Sequence, residues 1–352
     1  MLPILVVPHH RLQRFVVTQH HYRTGRRMSL LSLVTCLLVP ILGFTLAAGS
    51  AQATTYAPSP FVNRTLYVDP ASPAARDAAA LASSDPASAA LLQTIARQPQ
   101  ADWFGNWNPT DRLAGDVSAR IDVIQRAGAY PVLATYNIPK RDCNSYSDGG
   151  ASSPEAYRAW IDALKAGIGT RAVAVVLEPD ALGQLSCLTA IDQQTRLALI
   201  KYAAQRLSSG GNVAVYIDAG HSGWVSASAM ADRLSKAGVV YARGFALDVS
   251  NFGTTADQIA YGRMIAPTIG WKRFVIDTSR NGLGPATGID EPWCNPPGRA
   301  LGAAPTAATG DALVDAFLWI KHPGESDGTC HGGPTAGTWW RDYAIGLAQR
   351  AA

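Results

Sequence analysis

Six apolar runs in this chain each end on charged or polar residues: YPVLATYNIPKRDC, AVAVVLEPD, NVAVYIDAGHSGW, RGFALDVSN, RFVIDTSRNG and AFLWIKHPGESDG. The rhythm sets Asp142, Glu178, Asp180, Asp218, Asp248, Asp277, Lys321, Glu325 and Asp327 just past the ends of the runs. If the runs are buried strands of a parallel sheet, those residues surround one common mouth, because strand ends and the loops after them converge there. Crowded carboxyls suit acid/base chemistry. Burial and like charge make one of them keep a proton it can give, while another stays ionised and can take one. Such a mouth fits a neutral, hydroxyl-rich substrate, and the reading is a glycosidase.

In VLEPD, Pro179 cannot donate to a sheet ladder, so it ends the strand and turns Asp180 into the mouth as a general acid. An Asp followed by Ala181 and Leu182 can also cap a helix. Asp142 follows Arg141, which offers it a plain loop contact, or it adds negative charge beside Asp180. Asp218 precedes Ala-Gly-His, small residues that let a sugar approach. His221 either donates to substrate or ties its own loop down. Lys321, Glu325 and Asp327 share the loop KHPGESDG, where they hold sugar hydroxyls and polarise a water, or form a solvated charged turn. Trp103, Trp107, Trp224 and Trp293 fall in expected loops, where indole faces can stack on pyranose rings, whereas Trp160 and Trp319 sit on core patterns.

The elements that must position these groups are strands alternating with helices. Ser153-Pro154-Glu155 is a helix start, with Tyr157, Trp160, Ile161 and Leu164 at helical spacing and Gly167 as the expected stop. Further helices are expected at 191–207, 226–237, 255–265 and 339–348. The fold class is α/β, a parallel sheet closed or nearly closed into a TIM-like β/α barrel in a single domain; an open doubly wound sheet is the competing arrangement. NGLGPATG does not open a helix after a strand in the dinucleotide pattern, so no nucleotide cofactor is expected.

Residues 1–53 read as a cleaved secretory leader. Arg23, Arg26 and Arg27 precede an apolar stretch from Leu30 to Ala48, followed by Ala51-Gln52-Ala53. A membrane anchor is the alternative, since the stretch is nearly long enough to span. The leader carries five of the 30 basic residues and none of the 26 acids, which leaves 25 basic against 26 acidic and a net of −1 instead of +4. No basic footprint for nucleic acid remains. The catalytic part is expected at 54–352, with no membrane association after cleavage, no attached binding module, and a monomeric state. Cys143, Cys187, Cys294 and Cys330 remain after the leader, with no C-x-x-C spacing for zinc. Disulfides fit an exported protein better. Three pairings can be drawn, and the sequence-adjacent one would tie loops that follow different strands.

At YNIPKRDC, AVVLEPDAL, YIDAGHSGW, IDTSRNG, EPWCNPPGR and AFLWIKHPGESDG the chain resembles glycoside hydrolase family 6, a family of cellulases, over most of residues 54–352. The resemblance implies a distorted seven-stranded barrel and inverting hydrolysis of β-1,4-glucan or cello-oligosaccharides, without cofactor or metal. It puts the proton donor on Asp180, the acid that helps position the water on Asp142, an additional acid on Asp218, and the candidate base, or the residue holding charge near it, on Asp327, with Asp142 the other candidate base. It puts the tyrosine beside the distorted sugar on Tyr136, hydroxyl-binding residues on Lys321 and Glu325, stacking platforms on Trp103, Trp224 and Trp293, and Ser147 in the loop after RDC. It implies the pairs Cys143–Cys187 and Cys294–Cys330. Asp248 departs from the resemblance, standing where many relatives carry an uncharged residue, beside the substrate contact at Asn251. The short loop between Cys294 and Lys321 resembles that of open-cleft, endo-acting members. A cellobiohydrolase of the same family and a non-catalytic glycan-binding protein are the alternatives.

Overall fold

Seven parallel strands follow one another in chain order across one sheet: β1 (Asp102–Gly105), β2 (Val132–Tyr136), β3 (Val173–Leu177), β4 (Val213–Asp218), β5 (Gly244–Leu247), β6 (Arg273–Asp277) and β7 (Val314–Leu318). They are seen in a computed structural model that describes residues 57–351. The expected leader, residues 1–53, lies outside the described residues. Two helices, α1 (Pro73–Leu81) and α2 (Pro86–Ala96), precede the sheet. Five more cross between successive strands: α3 (Thr110–Arg126), α4 (Pro154–Ile168), α5 (Ala190–Ser208), α6 (Ala227–Lys236) and α7 (Thr255–Ile265). The last, α8 (Arg341–Gln349), packs its Tyr343, Ala344 and Leu347 with Leu92 and Ile95 of α2. Among the described residues no helix is long and apolar enough to cross a membrane.

Both faces of the sheet are covered, so the strands are apolar on both parities along most of their length, and the two parities face different layers. Leu133, Val175, Val215, Phe245 and Phe274 pack outward with the helices. Ala134, Ala174, Val176, Ala246, Val275 and Ala316 fill the interior. The curled interior is narrow, which is why small side chains dominate it. Truncating an outward core residue such as Ile161 of α4, fully buried, would cost about 2–5 kcal/mol. At the other end of the sheet from the mouth, buried Asp315 accepts from Tyr216 (2.7 Å), Arg243 (2.8 and 2.9 Å) and Arg273 (3.0 Å).

The sheet, expected closed or nearly closed into a barrel, is curled with a seam. Among the described residues, β1 and β7 are the outer strands and share no ladder. The Ala101 N–H donates to the Trp319 carbonyl (3.0 Å), the Trp103 indole to the Ile320 carbonyl (2.8 Å), and His322 Nε2 to the Ala101 carbonyl (2.7 Å).

Two local expectations are corrected. Trp103 is not in a loop but in β1, a four-residue strand too short and polar to stand out. Helix α4 starts as expected, with the Ser153 hydroxyl accepting from Ala156 N–H at 3.1 Å, but runs past Gly167 to a cap at Gly169. Gly167 serves close packing instead: a Cβ there would lie 2.7 Å from the Ala114 carbonyl of α3.

Candidate active site

The strand ends leave a cleft of about 620 Å³ bordered by Trp103, Tyr136, Asp142, Ser147, Asp180, His221, Trp224, Asn251, Trp293, Lys321 and Asp327. Twelve of the thirteen assigned substrate and acid positions are accounted for by these residues and by Asp218, buried beneath them. Glu325 is the exception. Its carboxylate turns to His322, accepting from Nδ1 at 2.8 Å, so its expected role in holding sugar hydroxyls is not supported by its position. Trp107 also lies outside the cleft lining.

Period-2 alternation would put Glu178 on the interior parity with Ala174 and Val176. A left-handed backbone at Glu178 (φ 54°) breaks that parity. Its buried carboxylate instead accepts from the Asn137 and Ile138 N–H groups, both at 2.8 Å, and from the Tyr157 hydroxyl of α4 at 3.1 Å. Glu178 therefore secures the loop after β2, and Asp180 (φ 68°) occupies the mouth. Asp277 is likewise a clamp, accepting from the N–H groups of Ser250, Ser279 and Lys321. Asp142, Cys143 and Asn144 are also left-handed. Such residues cost about 1–3 kcal/mol each and persist where surroundings over-determine them, commonly at functional sites. Here the surroundings include a Cys143–Cys187 disulfide and Arg141. Arg141 does not pair with Asp142 but donates to the Tyr136, Ser147 and Asp148 carbonyls and to Asn106. The second disulfide joins Cys294 to Cys330.

Asp180 accepts no side-chain hydrogen bond through its carboxyl among the described residues, and it does not cap a helix. Burial, then the charges of Asp218, Asp142 and Asp327, push its pKa well up, against a weaker pull from Lys321. Asp218 Oδ1 accepts from the backbone N–H of Asp180 (2.9 Å) and of Gly220 (3.0 Å), and burial pushes its pKa up to about 7. Asp142 is held by the Ser147 N–H and by Gln184 Nε2, both at 2.7 Å.

Asp327 has the opposite environment. Burial would raise its pKa, but Arg280 and Lys321 outweigh it and keep the carboxylate ionised. Arg280 lies 2.8 Å and Lys321 3.4 Å away, and the Asn295 N–H donates at 3.0 Å. Two carboxyls with pKa values driven apart can serve as an acid and a charge-holding or proton-accepting partner.

Around them, Tyr136 meets Trp103 edge-on at 5.5 Å and lies under the Arg141 guanidinium at 4.2 Å. His221 Nδ1 accepts from the Gly223 N–H at 3.2 Å, and burial pushes its pKa down to about 4. The neutral ring thus ties its loop with one nitrogen and has a donor on the other. The indoles of Trp224 and Trp293 stay exposed. Gln184, Arg280 and Asn295 had drawn no assignment from sequence. Arg280 sits in the quoted TSRNG run, but a cation fully enclosed beside Asp327 leaves no spacing signal. Among the described residues no group of three or more His, Cys, Asp or Glu is arranged to hold a metal ion.

The chain matches the sequence pattern of Glycosyl hydrolases family 6 over residues 61–351. It is 46% identical to Endoglucanase A of Cellulomonas fimi over 285 residues, 81% of this chain and 61% of that protein. The chain thus spans less than two thirds of the length of that relative. It is 40% identical to Endoglucanase 1 of Streptomyces halstedii, over 91% of this chain and 98% of the other. The fold superposes with a TM-score of 0.79 and 48% identity on an endoglucanase of Mycobacterium tuberculosis solved with methyl-cellobiosyl-4-deoxy-4-thio-β-D-cellobioside, covering 83% of this chain and 98% of that one.

Proposed function

The chain belongs to Glycosyl hydrolases family 6, and on that premise we propose that it is a secreted, monomeric endo-1,4-β-glucanase that cleaves internal bonds of cellulose-type glucans with inversion. The observation that carries the reading is the pairing of a buried, unengaged Asp180, its pKa pushed up by burial and neighbouring carboxylates, with a cation-held Asp327 on one indole-lined cleft. The relatives named above, all endoglucanases, support the endo assignment.

In this mechanism Asp180 gives its proton to the glycosidic oxygen as the bond from C1 to that oxygen breaks. A water attacks C1 from the opposite face, and its proton passes to the side of Asp327 and Asp142. Asp218 is a positioning residue, holding the backbone of Asp180. Trp103, Trp224 and Trp293 stack on sugar rings, and Tyr136, Ser147, His221, Asn251 and Lys321 contact the glucan. No cofactor takes part, and residues 1–53 serve export.

Hydrolysis of carboxymethylcellulose should lower viscosity steeply for few new reducing ends, and proton NMR in the first minutes should show the α-anomer. A β-anomer as first product would contradict inversion. A viscosity that falls only in proportion to cellobiose release would favour chain-end attack.

A further inference from the structure

Two loops face each other across the cleft, and one side chain joins them. The loop after β2 lends Ser145 and Ser147 to one wall; the loop after β6 lends Pro292 and Trp293 to the other. Tyr146 reaches across. Its hydroxyl donates to Glu291 Oε2 at 2.9 Å, and its ring centre lies 5.9 Å from that of Trp293. The ring rests on Gly328, next to Asp327, where an added Cβ would come within 2.3 Å of Tyr146 Cγ. Each loop is pinned three residues from the contact, one by Cys143–Cys187 and the other by Cys294–Cys330. Among the described residues the tips share this one hydrogen bond, between two exposed side chains.

We propose that the Tyr146–Glu291 contact is a latch across the cleft that governs how a polymeric glucan reaches Asp180. Closed, it retains a chain already seated and lets short oligosaccharides slide in from either end. Open, it lets the middle of a long chain settle from the side. The latch rests on the glucanase reading above and adds a specificity-determining pair to it. A linear polymer has no end near its middle, so lateral access depends on a gap between the walls, whereas a short substrate needs none. One exposed hydrogen bond shifts an equilibrium by about two- to tenfold, so the latch opens readily and its loss is measurable.

Tyr146→Phe keeps the ring on Gly328 and removes the hydroxyl. It should raise kcat/KM on carboxymethylcellulose about two- to tenfold and lower the ratio of soluble to insoluble reducing ends from amorphous cellulose. On dinitrophenyl β-cellobioside it should stay within about twofold of the parent enzyme. Glu291→Gln, whose amide oxygen still accepts, should behave as the parent, and Glu291→Ala should match Tyr146→Phe. The double variant should add nothing to either single change. An unchanged polymer rate, or equal changes on polymer and small substrate, would overturn the latch. A parent enzyme inactive on both substrates would overturn the glucanase reading and the latch with it.

Discussion

The backbone N–H of Asp180 donates to Oδ1 of Asp218 at 2.9 Å, so the carboxyl that helps hold Asp180's proton also fixes Asp180's place. The two roles separate on substitution. Asp218→Asn keeps an acceptor oxygen for Asp180 and Gly220 but removes the charge, so Asp180 should lose its proton at lower pH. The alkaline limb of kcat/KM should move down, with modest loss at its optimum. Asp218→Ala also leaves two N–H groups unpaired, at about 1–3 kcal/mol each, and should lower the melting temperature as well. Equal melting temperatures for the two variants would contradict this division.

His322 offers a pH test of the seam between β1 and β7. Its Nδ1 faces Glu325 and its Nε2 the Ala101 carbonyl, both acceptors, so the ring must carry both protons. Burial opposes the charge and Lys321 repels it, but Glu325 and the two hydrogen bonds raise its pKa to about 9; Asp102, paired with Arg120, lies near enough to be drawn on by the same charge. A raised folded pKa means stability fully present below the unfolded value of about 6.5 and lost as pH rises through about 9. Melting temperature measured from pH 6 to 10 should fall in that window, and His322→Gln should flatten the fall. A parallel fall in the variant would assign it to other groups.

Asp248 is fully buried, accepts from the Gly253 N–H at 3.0 Å, and has its pKa pushed well up by burial and then by Asp277. A raised carboxyl pKa makes stability decline as pH climbs past the unfolded value of about 3.9. Asp248→Asn keeps the acceptor without that decline. The variant should melt at or above the parent temperature at pH 7, with the difference vanishing near pH 4. A lower melting temperature at pH 7 would show that the ionised carboxylate is needed.

Much of this arrangement was legible in the chain because parallel strands are buried on both faces and end on polar residues. Six of seven strands were read that way; β1 was not, since Asp102 and Gly105 leave it two apolar residues. Helices α1 and α2 went unread although Ser72-Pro73 and Asp85-Pro86 repeat the start signal of Ser153-Pro154, because their alanine-rich faces blur the apolar period. The stripe Leu113, Val117, Ile121 and Ile124 of α3 was a clean signal left unused. Within the site, the spacing of the strand ends names the carboxylates but does not separate those that face the cleft from those that hold the backbone. Glu178 and Asp277 look catalytic by position and are clamps, because a left-handed residue and a ring of converging N–H groups are invisible to spacing. Glu325 turned away for a similar reason: its partner His322 is protonated by a seam contact over 200 residues distant in sequence.

The most direct test of the central claim compares leaving groups in Asp180→Ala. Cleaving between two glucoses needs a proton on a poor leaving group, and general-acid catalysis supplies about 10²–10⁴-fold. Hydrolysis of carboxymethylcellulose should therefore drop by that factor, while dinitrophenyl β-cellobioside, whose leaving group departs unprotonated, should lose far less. Equal losses on the two substrates would remove Asp180 from the role of general acid.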